Sequence, residues 1–214
     1  MTALALWVAV SLPGPTAASA AVTVKGDRAA WAEIAAAYRK LNSLSGYRIK
    51  GDISVSGGPG GGTVSGEFAP PNAYHLTQQS PRGTSETFSV GGKIVSRQAE
   101  PGCRGRSMRD SAQDPNGSPF FKDPEDFDGE YTITRQPDTT IDGTPVHAYG
   151  IVMRAPRGGG QITGTISIGT ETGLPRRNVF TIAGVSGQGG GTTGTSTTDF
   201  YDLGAKIAIV LPDC

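Results

Sequence analysis

Between Thr63 and Gln98 the chain reads TVSGEFAPPNAYHLTQQSPRGTSETFSVGGKIVSRQ, four short runs of alternating apolar and polar residues, each closed by Pro, Gly or Ser. Period-two alternation interrupted by turn residues specifies consecutive antiparallel hairpins. Because successive side chains of a strand leave opposite faces of the sheet, the pattern predicts that Phe68, Tyr74, Leu76, Phe88, Val90 and Ile94 share one apolar face. Glu67, His75, Thr77, Glu86 and Lys93 then lie mostly on the other. A sheet with one apolar face has to cover it.

The cover is predicted upstream, where the period changes. Trp31, Ile34, Ala35, Tyr38 and Leu41 recur at helical spacing, with Arg28, Glu33, Arg39 and Lys40 opposite. Asp27 is placed to cap the start of this helix and Gly46 to end it. The helix stripe is expected to lie on the apolar face of the sheet. Tyr47, Ile49, Ile53 and Val55 of YRIKGDISVS then form a strand ahead of the hairpins. Beyond Gln98, Pro101 to Gly129 reads as a long irregular segment anchored by Phe120, Phe121 and Phe127. Strands resume as EYTITRQ, VHAYGIVMR, QITGTISIG, RRNVFTIA, GTSTTDFYD and KIAIVL, with turn signals in IDGTPV and ETGLP. The count is about eleven strands with no βαβ rhythm. The predicted fold is therefore α+β, a mainly antiparallel sheet of about eleven strands with one amphipathic helix.

A sheet of that size curls. Its concave face is expected to present Phe68, Tyr74, Leu76, Phe88, Tyr149, Ile151, Met153, Ile166, Ile168, Phe180 and Ile182 under a helix carrying Trp31, Ile34 and Tyr38. Two arrangements satisfy this lining. The residues close on one another as a core, or they enclose a partly open cavity for an apolar ligand.

Length and composition bound the alternatives. The 214 residues suffice for one domain with a sizeable interior. The 32 glycines concentrate in GGPGGG, PRGGGQ and SGQGGGTTG, which together hold 13 of them, stand between strand-like runs and read as hairpin ends. Lys and Arg together number 19, as do Asp and Glu, a balance that offers no long-range attraction to nucleic acid or an anionic membrane. The apolar run ALALWVAVSL, followed by PGP and the small residues TAASAA, reads as a signal peptide over residues 1–21, leaving one exported domain over 22–214. No Cys stands beside the small residues, so a lipidation site is absent from this sequence. In an exported chain the two cysteines, Cys103 and Cys214, are expected to form a disulfide.

Catalytic constellations are missing. There is no Gly-x-Ser-x-Gly elbow, His-Glu-x-x-His, P-loop or dinucleotide fingerprint. His75 and His147 are the two histidines; His147 shares its parity with Tyr149 and Ile151, so it is either a cavity residue or a rim residue. The acidic run DPEDFDG lacks the ligand spacing of a calcium loop. Arg104, Arg106 and Arg109 are either contacts for an anionic head group or a solvated loop. No catalytic residue, metal or cofactor is expected.

The order of the helix, LNSLSGYRIKGDISV, GEFAPPNAYHL, ETFSVGGKIVSR, IDGTPVHAYGIVM, TETGLPRRNVF and TTDFYDLGAKIAIVLP resembles the LolA/LolB-like lipoprotein-carrier superfamily. It is also similar to the LppX and LprG lipid carriers and to the sensor domain of RseB-type regulators. The resemblance spans Asp27 to Pro212. It implies an eleven-stranded half-barrel with a helical lid, a cavity for acyl chains and work outside the cytoplasm. A lipid or acyl-chain ligand, a membrane-anchored donor or acceptor and a monomeric state are the expectations, with an envelope sensor or partner-binding module as the alternative. The sequence departs from the family where an Arg commonly precedes Pro-Asn and latches the lid. Pro70 stands there, before Pro71 and Asn72, and has no side-chain donor.

Overall fold

The computed structural model describes residues 23–56, 61–98, 130–154, 161–185 and 192–213. Residues 1–22, the segment from Pro101 to Gly129 with its arginines and phenylalanines, and both Cys103 and Cys214 lie outside the described residues. So do the expected signal peptide and disulfide.

Helix α1 (Arg28–Asn42) starts where Asp27 accepts hydrogen bonds from Ala29 N at 2.9 Å and Ala30 N at 3.0 Å, satisfying two orphan donors of the first turn. Its stop differs from the expectation. Ser43, in right-handed geometry, caps the end through its N–H and through Oγ, which donates to Lys40 O at 2.7 Å. Gly46 has a different role: a Cβ there would stand 2.6 Å from Ala205 O and 2.9 Å from Phe68 O, so it marks a close backbone approach beneath the sheet.

The strands are β1 (Thr23–Gly26), β2 (Tyr47–Val55), β3 (Gly61–Ala69), β4 (Ala73–Ser80), β5 (Gly83–Val90), β6 (Lys93–Gln98), β7 (Glu130–Ile141), β8 (Thr144–Arg154), β9 (Gln161–Gly169), β10 (Pro175–Val185) and β11 (Thr192–Tyr201). They form one sheet in the order β1-β7-β8-β9-β10-β11-β2-β3-β4-β5-β6, open and curved rather than closed into a barrel. Two antiparallel meanders are thus joined side by side through β11 and β2, whose register brings Phe200 opposite Ile49. The eleventh strand is β1, running parallel to β7. KIAIVL, expected to be that strand, is extended but pairs in no ladder among the described residues.

The register corrects one predicted face. β4 and β5 are joined by a two-residue turn, Pro81 and Arg82, so Tyr74 stands opposite Ser89 and Leu76 opposite Thr87, while Phe88 stands opposite His75. Since a shift of one residue exchanges the faces, Phe88 and Val90 project away from Phe68, Tyr74 and Leu76. Phe88 is nevertheless buried, because His75 stacks on it with ring centroids 4.1 Å apart and the Arg97 guanidinium lies 5.3 Å from its centroid. Glu86 ties the two together, at 3.0 Å from His75 Nε2 and accepting from Arg97 Nε at 2.6 Å. Arg48 with Glu67 and Arg177 with Asp199 add further ion pairs on this convex face.

Two outcomes are expected. Gly46→Ala should lower stability by about 1–3 kcal/mol, read as a fall in urea midpoint at unchanged slope, because backbone oxygens fill the space of the new methyl group. The bond from Arg97 holds the Glu86 carboxyl below its ordinary 4.5. That stabilisation is present above the ordinary value and lost as pH falls through the depressed one. Glu86→Gln should therefore show a smaller drop in urea midpoint between neutral and acid pH than the parent protein.

Candidate functional site

The concave face is built from the residues that share the parity of Tyr149. Strand pairing carries that face from Tyr131 and Ile133 of β7 through Tyr149, Ile151 and Met153 of β8 to Ile162, Ile166 and Ile168 of β9. It continues through Asn178, Phe180 and Ile182 of β10, across β11 to Ile49 and Ile53 of β2, and on to Phe68, Tyr74 and Leu76. Helix α1 lies against this face over β7, β9 and β10, and Trp31 meets Tyr131 with ring centroids 5.0 Å apart.

Burial then falls in one direction along β2, β3, β8, β9 and β10. At the end beneath the helix, Tyr47, Ile49, Phe68, Tyr149, Ile151, Ile166 and Ile168 are buried with Ile34, Tyr38 and Leu41 as one cluster. Towards the opposite end, where β2 meets β3, β8 meets β9 and β10 meets β11, the same face is half-buried at Ile53, Val64, Met153, Ile162, Phe180 and Ile182. Along β8 the exposure runs from 0% at Tyr149 and 4% at Ile151 to half-burial at Met153. The structure thus has a closed core beneath the helix and, continuing from it, an apolar floor that is only half-buried. Of the predicted lining, Ile34, Tyr38, Phe68, Tyr74, Leu76, Tyr149, Ile151, Ile166 and Ile168 belong to the core. Trp31, Met153, Phe180 and Ile182 belong to the floor or its border, and Phe88 belongs to neither.

Polar contacts at three places along the helix hold it to the sheet. Near its start Glu33 Oε2 lies 3.4 Å from Arg135 Nη1, and His147 Nε2 lies 4.0 Å from Glu33 Oε1. Asp138 completes this cluster at 2.9 Å from His147 Nδ1, which makes His147 a rim residue paired to acids rather than a cavity wall. Burial first, and the neighbouring Glu33 carboxylate second, push the Tyr149 phenol above its ordinary range. In the middle, Asn178 Nδ2 donates to Tyr38 Oη at 2.8 Å, and burial pushes that phenol up as well. At the end, Lys40 Nζ donates to Thr172 O at 2.6 Å. Helical spacing identified the apolar stripe but could not find these partners, which come from residues more than 100 positions away in sequence.

Among the described residues no group of three or more His, Cys, Asp or Glu side chains is placed to hold a metal, and no helix is long and apolar enough to cross a membrane. The concave floor offers apolar contact and a few hydroxyl and amide groups. Tyr38→Phe should lower stability by about 1–3 kcal/mol in urea unfolding, because the buried Asn178 N–H loses its acceptor.

No family model matches the chain, and no characterised protein matches it by sequence. Solved structures do match. LprF from Mycobacterium bovis aligns at 13% identity over 87% of this chain and 98% of its own, with a TM-score of 0.54. A LolA superfamily protein from Nitrosomonas europaea aligns at 10% identity over 78% and 90%, with a TM-score of 0.33. MucA/MucB of Pseudomonas aeruginosa aligns at 13% identity over 82% of this chain and 59% of the matched one, with a TM-score of 0.42. At such identities the likeness is one of fold, and the LprF match carries it over nearly the whole of both chains. This chain shares the fold of LprF.

Proposed function

We propose that the protein is a non-enzymatic carrier or binding protein for a lipid, a lipoprotein acyl chain or another apolar ligand, seated on the uncovered part of the concave face. It would work outside the cytoplasm as one domain over residues 22–214, after removal of residues 1–21, and exchange its ligand with a membrane-anchored donor or acceptor. One observation carries this reading: Ile53, Val64, Met153, Phe180 and Ile182 form a half-buried apolar floor continuous with a fully packed core. The core makes the floor rigid, so a ligand arriving on it does not have to order it. An acyl chain leaving water gains about 0.8 kcal/mol per CH₂, so a dozen carbons on this floor supply about 10 kcal/mol against the cost of immobilising the chain.

The helix is the element best placed to respond. Its hold on the sheet combines a large apolar stripe with the Glu33, Tyr38 and Lys40 contacts, and displacing its Trp31 end would widen the floor.

The deciding measurement is native mass spectrometry of the exported protein followed by organic extraction. Near-stoichiometric lipid is expected. Ile182→Asp, which puts a charge on the floor at a residue outside the core cluster, should weaken binding of a fluorescent acyl probe by about ten-fold or more. A protein that is empty as isolated and takes up no acyl probe refutes the reading and favours a module that binds a protein partner.

A further inference from the structure

One side chain in the packed half of the concave face does not fit an apolar core. Asn178 is 2% exposed, shares its face with Ile166 on one neighbouring strand and Thr198 on the other, and lies beneath Tyr38. Its Nδ2 is satisfied by Tyr38 Oη, but Oδ1 has no hydrogen-bond partner. A buried acceptor left unmade costs about 1–3 kcal/mol, and the equivalent position of the adjoining β9 is filled by Ile166 at no such cost.

Asn178 also stands at the boundary between core and floor, for Phe180 and Ile182, next along the same face of β10, are half-buried. Across the pairing with β11, Thr198 lies opposite Asn178 and Ser196 opposite Phe180, so a line of hydroxyls leads from the amide towards the uncovered end. Both are half-buried. The paired residues of β2 to β6 and β9 to β11 present no ionised side chain to this face. Their charges, among them Arg48, Glu67, Glu86, Arg97, Arg177 and Asp199, sit on the convex face and are paired there.

We infer that Asn178, with Thr198 and Ser196, is a polar subsite of the ligand floor that accepts a hydrogen bond from an O–H or N–H group of the ligand. This rests on the carrier reading and narrows it to uncharged lipids that carry a free hydroxyl or amide next to their apolar body. A carbonyl-only ester cannot donate to Oδ1. A carboxylate would bring a second acceptor, and a charge with no counter-ion, against an acceptor already unpaired.

The test uses the full chain purified after export, with three twelve-carbon probes competing against a fluorescent acyl probe: monolauroylglycerol, methyl laurate and laurate. The glycerol ester should bind about ten-fold more tightly than either of the others. Asn178→Leu should bring the glycerol ester and the methyl ester to within about two-fold of each other by weakening only the former. Thr198→Val should narrow the gap in part, and it decides the matter if Asn178→Leu does not fold. Equal binding of the two esters by the parent protein, preference for laurate, or a gap that survives both substitutions, as it would if a buried water completes the amide, overturns the subsite while leaving the carrier reading intact. Failure of all three probes to bind overturns both.

Discussion

The structure depends on the burial of one helical stripe against one curved sheet. An open sheet of eleven strands has a concave surface that cannot stay in water, and the chain supplies a single helix of 15 residues among the described elements to cover it. Ile34, Tyr38 and Leu41 go down onto the face formed by Tyr47, Ile49, Tyr149, Ile151, Ile166 and Ile168, and together they form one cluster. Each such side chain is worth about 1.5–3 kcal/mol in burial, so the helix position follows from hydrophobic area rather than from its few polar contacts. A helix about 22 Å long at 1.5 Å per residue reaches only part of the surface. What it leaves is not a random exposed patch but the continuation of the core face, strand by strand.

Polar groups are sorted between the two faces. The convex side takes the charges and pairs them, even enclosing Phe88 between His75 and Arg97. The concave side is almost free of charge except where Arg135 and His147 meet Glu33 and Asp138 at the rim of the helix. The helix is held from β7, β10 and the turn before β10, by Arg135, Asn178 and the carbonyl of Thr172. This set of contacts places a buried amide, with an unused acceptor, where the packed core gives way to the floor.

Much of this was legible in the sequence because it is local. Period two, period 3.6 and turn residues located most of the strands, the helix and the Asp27 cap. The resemblance to lipoprotein carriers predicted the half-barrel with its helix. The misreadings share one cause, which is that they concern pairing. Phe88 was placed on the wrong face because the two-residue turn at Pro81 and Arg82 decides register, and an aromatic in an alternating run carries no mark of which neighbour it will stack upon. KIAIVL has the composition of a strand but finds no ladder among the described residues, whereas the short Thr23–Gly26 finds one on β7. Gly46 reads as a helix stop and is instead the place where two backbone segments touch.

The amino-acid sequence by itself determined the elements, the existence of an apolar face and the helix stripe that answers it, because these depend on spacings of two to four residues. Only the tertiary structure decided that the face is divided into a closed core and an uncovered floor. That division depends on the reach of one helix across strands brought together from both halves of the chain. The same holds for Asn178. In sequence it is a polar residue between Arg177 and Val179; in the fold the pairing of β9, β10 and β11 turns it inward, where burial makes its missing partner matter.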